Sequence, residues 1–132
     1  MAFTGPPADR QLIAELHATY ADASFRADRQ GWLDCWSADP VWEASFGTFA
    51  GKAALGEQWD RLWQAMTFLA FISQTSAIEV TGDTATARCH VREVFTLKDG
   101  TRNEVIASYD DALVRESGAW KFARRSYSIL MR

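Results

Sequence analysis

The chain is poor in histidine, cysteine and proline, with two, two and three of them among 132 residues. Cys35, Cys89, His17 and His90 never approach the spacing of zinc ligands, so no metal site is expected. The two cysteines lie 54 positions apart and read as small buried hydrophobes rather than as a disulfide. Basic charge is also in deficit. Fourteen Lys and Arg against 17 Asp and Glu leave a net charge of −3, which argues against a nucleic-acid partner. No long apolar run exists. The uncharged stretch from Gln64 to Ile78 carries Gln, Ser and Thr and is too short to span a bilayer. The first residues, Met1 to Pro7, have neither the basic start nor the apolar stretch of a signal peptide. A cytoplasmic protein without membrane association is expected.

Aromatic residues, by contrast, are abundant: six Trp, eight Phe and three Tyr, within a chain that is 48% hydrophobic and 23% charged. Such a composition excludes intrinsic disorder. A chain of this length hides about two-thirds of its unfolded surface, so residues 1–132 are expected to form one domain with a core of its own.

The chain changes character once. Pro6 and Pro7 suit a helix start, because first-turn N–H groups need no partner. From Ala8 to Ala27, Ile13, Leu16 and Tyr20 recur at helical spacing. A short helix is expected from Arg29 to Ser37, ended by the Asp39-Pro40 turn, then a strand from Val41 to Phe46 and a turn from Gly47 to Gly51. Between Lys52 and Met66 the residues Leu55, Trp59, Leu62 and Met66 form one helical stripe. Four long strands follow: Phe68 to Val80, Thr84 to Leu97, Thr101 to Arg115, and Ala119 to Leu130. Short Gly-containing turns separate them, which is the pattern of hairpins. The order α-α-β-α-β-β-β-β predicts an α+β fold, a curved antiparallel sheet with about three helices on one face.

Several segments carry a family resemblance. They are Ala27-Asp28-Arg29-Gln30-Gly31-Trp32, Asp39-Pro40-Val41-Trp42-Glu43, Gly51-Lys52-Ala53-Ala54-Leu55, Gly82-Asp83-Thr84-Ala85-Thr86-Ala87, Tyr109-Asp110-Asp111, and Trp120 to Arg125. Their order and spacing resemble the SnoaL-like branch of the nuclear-transport-factor-2-like superfamily over nearly the whole chain. The resemblance implies a cone-like sheet closed by helices around one deep apolar pocket. It also implies relatives such as scytalone dehydratase, ketosteroid isomerase, limonene-epoxide hydrolase, lindane dehydrochlorinase and polyketide cyclases, alongside non-catalytic members. Fold alone therefore leaves the function open.

Asp28 resembles the acid that the dehydratase and dehydrochlorinase place at the end of their first helix. A carboxylate facing an apolar pocket has its charged form disfavoured, which suits proton transfer near neutral pH. The same residue also reads as a solvated acid at a helix end. Those enzymes pair the acid with a His, and alignment on Ile78-Glu79-Val80 puts Phe71 at that position. His17 stands 11 residues from Asp28, roughly 16 Å along a helix, and does not substitute. His90 shares a strand face with Thr84, Thr86, Arg88 and Arg92, and is expected to face solvent or a partner subunit. The ketosteroid isomerase pattern is broken as well, with Ala44 in place of its acid and Ala23 in place of its first-helix Tyr; Tyr20 lies one turn away. The Asp-Arg-Asp set of limonene-epoxide hydrolase is absent.

Polar residues on apolar strand faces remain. Glu93 continues the Ala85-Ala87-Cys89-Val91 face, as a pocket acid or an ion-pair partner. Arg124 continues the Trp120-Phe122 face, and would pair with Glu93 or Asp28 or bind a substrate oxyanion. Tyr109 shares a face with Val105 and Ala107, and would donate into the pocket or simply pack. Tyr20, Trp42 and Phe71 are expected at the substrate, and Asp28, Tyr109 and Arg124 in catalysis. Gly51-Lys52 is no phosphate loop, because Phe46 stands at the required first Gly. The function expected is cofactor-independent acid/base lyase or isomerase chemistry on a hydrophobic cyclic small molecule, in a homodimer formed through the open face of the sheet. The alternative is a module of the same fold that binds a hydrophobic ligand or dimerises without catalysis.

Overall fold

A computed structural model describes residues 2–132. The elements run β1 (Phe3–Thr4), α1 (Pro7–Phe25), α2 (Arg29–Asp34), β2 (Trp36–Ala44), β3 (Gly47–Ala50), α3 (Lys52–Ala65), β4 (Met66–Thr81), β5 (Thr84–Leu97), β6 (Arg102–Glu116) and β7 (Ala119–Met131). Three helices pack on one curved, unclosed sheet of seven strands in the order β1-β4-β5-β6-β7-β2-β3. The β4 to β7 hairpins are antiparallel, as the Gly-containing turns predict. The sheet as a whole is mixed, however. β1 joins β4 in parallel at Ile78 and Glu79, and β2 joins β7 in parallel. Sequence-local turns dictate antiparallel neighbours, whereas these two contacts are long-range and leave no local signal.

Helix α1 starts at Pro7 and buries Ile13, His17, Tyr20, Ala23 and Ser24 along one face. It stops where Ala27 enters the left-handed region at φ 52°, and the Asp28 N–H bonds back to the Ala23 carbonyl at 2.9 Å. Asp28 then caps α2, its carboxylate accepting from the Gly31 N–H at 3.0 Å. A Cβ at position 31 would stand 2.4 Å from an Asp28 oxygen, so glycine permits this cap.

The second helix is shorter than its sequence suggests. β2 begins at Trp36 and continues through Asp39-Pro40, which interrupts the strand without ending it. Pairing with β7 slips between Trp36 and Val41, and this irregularity accommodates a residue without an N–H. Gly47 to Ala50 is likewise a strand rather than a turn, paired antiparallel to β2 on the sheet edge. Among the described residues, no helix is long and apolar enough to cross a membrane.

The core lies between α1 and the inner sheet face, and is largely aromatic. Phe122 is wholly buried, with ring centroids 5.6 Å from both His17 and Tyr20 and 5.9 Å from Trp36. Its loss removes one partner from three rings at once. Phe122→Ala is therefore expected to cost about 3–5 kcal/mol, read from the denaturant midpoint at unchanged slope.

Candidate functional site

Alternation along the strands aims one set of side chains into the cone. Leu69 and Phe71 from β4, Glu93 and Phe95 from β5, Val105 and Tyr109 from β6, and Tyr127 and Ile129 from β7 line a cavity of about 280 Å³. Tyr20 and Ser24 of α1, Trp32 of α2, Trp42 of β2, and Trp59, Leu62 and Trp63 of α3 close its other walls. Arg132 also reaches it. The walls are overwhelmingly apolar. Tyr20 packs against Trp32, Trp36, Phe71, Tyr109 and Phe122 at centroid distances of 5.6–6.1 Å.

Among the described residues, Glu93 is the one acidic side chain in this lining. Burial raises its pKa above the ordinary 4.5, although a hydrogen bond from the Tyr127 hydroxyl to Oε1 at 2.6 Å works in the opposite direction. Tyr127 is itself stacked on Tyr109 at 5.0 Å. The ion-pair reading of Glu93 with Arg124 does not hold, because the two residues have different partners.

Behind the tyrosines lies a second polar group, sealed from solvent. The Asp111 carboxylate accepts from Arg125 Nε at 2.7 Å and Nη2 at 3.1 Å, and from His17 Nε2 at 2.8 Å. Arg125 Nη2 also reaches Cys89 Sγ at 3.0 Å, and the Thr75 hydroxyl meets His17 Nδ1 at 2.8 Å. Burial disfavours charge on Asp111, but Arg125 and His17 outweigh it and hold the carboxyl below its usual range. Burial likewise opposes charge on Arg125, and Asp111 more than restores it. For His17, burial prevails and lowers its pKa, so the ring is neutral. Since a carboxylate only accepts, Nε2 carries the hydrogen and Nδ1 accepts from Thr75. His17, Cys89 and Asp111 present donor atoms within 4.8 Å of one another, but the Arg125 guanidinium already bonds two of them and supplies the positive charge.

Two residues expected in catalysis lie outside the cavity lining. Asp28 is exposed and spends its carboxylate on capping α2, so it is the solvated helix-end acid of the two readings. Arg124 is exposed and pairs with Glu43. The reason is a bulge: Leu113 faces Phe122 while Ala112 faces Arg124, so Ala123 is the extra residue. It reverses the alternation and turns Arg125 inward instead. His90 is exposed and bonded to Ser76. Tyr20, Trp42, Phe71, Glu93 and Tyr109 all line the cavity.

Sequence reasoning missed Tyr127, Arg125 and Asp111, and it considered His17 without finding its partner. A signal existed for Asp111, an acid on the Ala107-Tyr109-Leu113 stripe, and for His17, on the Ile13-Tyr20 stripe. Nothing local announced the bulge.

The profile of the SnoaL-like domain matches residues 7–126. The chain belongs to the SnoaL-like domain family. Among solved structures, this SnoaL-like chain is similar to a proposed aromatic ring hydroxylase from Novosphingobium aromaticivorans, at 28% identity and a TM-score of 0.91, covering 98% of this chain and 94% of that one. It shares its fold with a ketosteroid isomerase-like protein from Erwinia carotovora atroseptica (19% identity, TM-score 0.87, 96% and 100% covered). A hexachlorocyclohexane dehydrochlorinase from Novosphingobium barchaimii has the same fold (18% identity, TM-score 0.84, 93% and 87% covered). No curated protein sequence matches the SnoaL-like chain.

The lowered pKa of His17 sets a pH window for stability. Below the unfolded value of 6.5 the unfolded chain takes up a proton that native His17 refuses, so its contribution is full above 6.5 and declines as pH falls toward the native value. His17→Gln is expected to flatten the stability profile just below 6.5 in urea titrations across pH. An unaltered slope there would reject this assignment.

Proposed function

We propose that the chain performs cofactor-independent acid/base chemistry, a lyase or isomerase step such as dehydration, isomerisation or cyclisation, on a hydrophobic cyclic small molecule held in the cone. The observation that carries this reading is Glu93, a carboxyl with a raised pKa projecting into an aromatic cavity. Tyr127 holds Oε1 and leaves Oε2 for the ligand. Glu93 takes a proton from an acidic carbon of the ligand and returns it to another position or to a leaving group, and no redox partner is required. The names of the isomerase-like and dehydrochlorinase neighbours denote ring compounds, and that of the Novosphingobium aromaticivorans relative an aromatic ring. They support a cyclic ligand at the level of the family. Asp28 and Arg124 have no part in this scheme, and Tyr109, which lines the cavity, serves in it as a hydrogen-bond donor to the ligand.

The test is turnover of a panel of cyclic enones, hydroxy-ketones and polyketide-type substrates. Glu93→Gln should lower the rate about 10²–10⁴-fold. Asp28→Asn, outside the cavity, should keep it. When Glu93 acts as base, the rate should rise with pH through a value above 4.5. The same raised pKa makes the native state favour protonated Glu93, so this group's stabilising contribution is lost as pH rises through its native value. Glu93→Gln should therefore be the more stable protein at alkaline pH. Full turnover in Glu93→Gln would sink the assignment, and ligand binding without turnover across the panel would favour the non-catalytic alternative.

We also propose a homodimer through the outer sheet face, where Phe68 and Ile72 of β4 are 50% and 53% exposed. Equilibrium sedimentation should then give twice the 14.8 kDa chain mass, and Phe68→Lys should halve it. A 14.8 kDa species at micromolar concentration would refute the dimer.

A further inference from the structure

Strand β7 turns an arginine onto the inner side of the sheet twice, each time by one extra residue. The first is Ala123, which brings Arg125 inside. The second is Leu130, since Ala107 faces Ile129 while Ile106 faces Met131. Counting by two from Ile129 would put Met131 inside. Met131 is instead 60% exposed, and Arg132 takes the place in the cavity lining.

The two arginines differ in what answers their charge. Arg125 is sealed in and bonded to Asp111. Arg132 pairs with no acidic side chain among the described residues. Glu93, the acid of the same cavity, gives Oε1 to Tyr127. The exposed members of the lining mark the mouth of the cavity, and they are Phe46, Ala65 and Arg132. Of these three, Arg132 alone has a polar side chain. Its charge is felt further in: burial and Glu93 push the Tyr127 phenol up, and Arg132 opposes them.

A guanidinium at a wet rim tolerates the lack of a protein partner, because water solvates it. It becomes a recognition group once a ligand fills the cone and covers one of its sides. Its planar fork of N–H donors then matches a carboxylate, and one such cation answers one negative charge. Size narrows the ligand further. A dry cavity of about 150 Å³ accepts benzene, and the 280 Å³ here is nearly twice that, room for two fused rings.

We propose that Arg132 is a specificity-determining residue that selects two-ring carboxylates, with the rings seated in the aromatic cone and the carboxylate held at its mouth. Which end of the ligand reacts rests on the acid/base reading, in which Glu93 meets the rings; binding does not depend on it.

Affinities of 2-naphthoate, 2-naphthamide and 2-naphthylmethylamine for the full chain are measured by tryptophan fluorescence and calorimetry at neutral pH and low salt. The naphthoate should bind about three- to ten-fold more tightly than the uncharged amide. Added sodium chloride should shrink that preference, because Arg132 is exposed. In Arg132→Gln the order should reverse, since a carboxylate without a cation is costlier to desolvate than an amide. Arg124→Gln removes the same charge from an arginine outside the cavity and should leave the preference intact. Equal affinity for naphthoate and naphthamide, a tighter amine, a naphthoate preference that survives Arg132→Gln, or no binding of any probe would overturn the proposal. The preference should persist in Glu93→Gln. Glu93-dependent turnover of uncharged substrates without a carboxylate preference would sink this inference alone. A carboxylate preference lost in Arg132→Gln, with no turnover of any substrate, would sink the acid/base reading alone.

Discussion

Arg125 carries a full charge in a place with almost no water, and one carboxylate makes that tolerable. The Asp111–Arg125 pair joins β6 to β7 at directly opposed positions and, through His17, draws α1 onto the sheet. The guanidinium also backs the rings of Tyr20, Tyr109 and Phe122. Helix, sheet and pocket floor therefore share one electrostatic joint. A buried pair of this kind contributes little net stability compared with well-packed apolar side chains, because desolvation consumes most of the attraction. Removing one partner is a different matter, since it strands the other's charge. The joint acts chiefly as a constraint on register and on the placement of α1.

Polarity in the cone is arranged in two layers. The inner layer, Glu93 with Tyr127 and the Tyr20–Tyr109 pair, meets the cavity. The outer layer, Asp111, Arg125, His17, Cys89 and Thr75, lies behind it and is satisfied internally. Charge in the outer layer is balanced, and the cavity itself meets a carboxyl of raised pKa, neutral phenols and the Arg132 side chain. That is an environment in which a proton can move without a solvated ion competing for it.

How legible the site was in the sequence depended on strand periodicity. Unbroken alternation along β5 runs from Ala85 to Glu93, so the inward position of Glu93 follows from counting. The same holds for Tyr109 beside Ala107 in β6. Counting failed in β7, because a single inserted residue between Phe122 and Arg124 exchanges the two arginines. A bulge of this kind depends on the facing strand and has no sequence mark of its own. Asp28 misled for another reason. Its neighbours resemble a catalytic helix end, but the left-handed Ala27 and the glycine at 31 make it a cap.

The long helices, the four hairpin strands and the family were determined by the sequence alone, since helical stripes, alternation and turn glycines are local properties. The parallel contacts of β1 and β2, the choice of Arg125 over Arg124, and the meeting of His17 with Asp111 were decided only by tertiary structure. His17 and Asp111 stand 94 residues apart, and α1 meets β6 only once the sheet has curved beneath it. No periodicity encodes such a contact. It exists because a buried guanidinium must be neutralised: the Asp111 carboxylate supplies the opposite charge, and the neutral His17 ring donates to that carboxylate from α1.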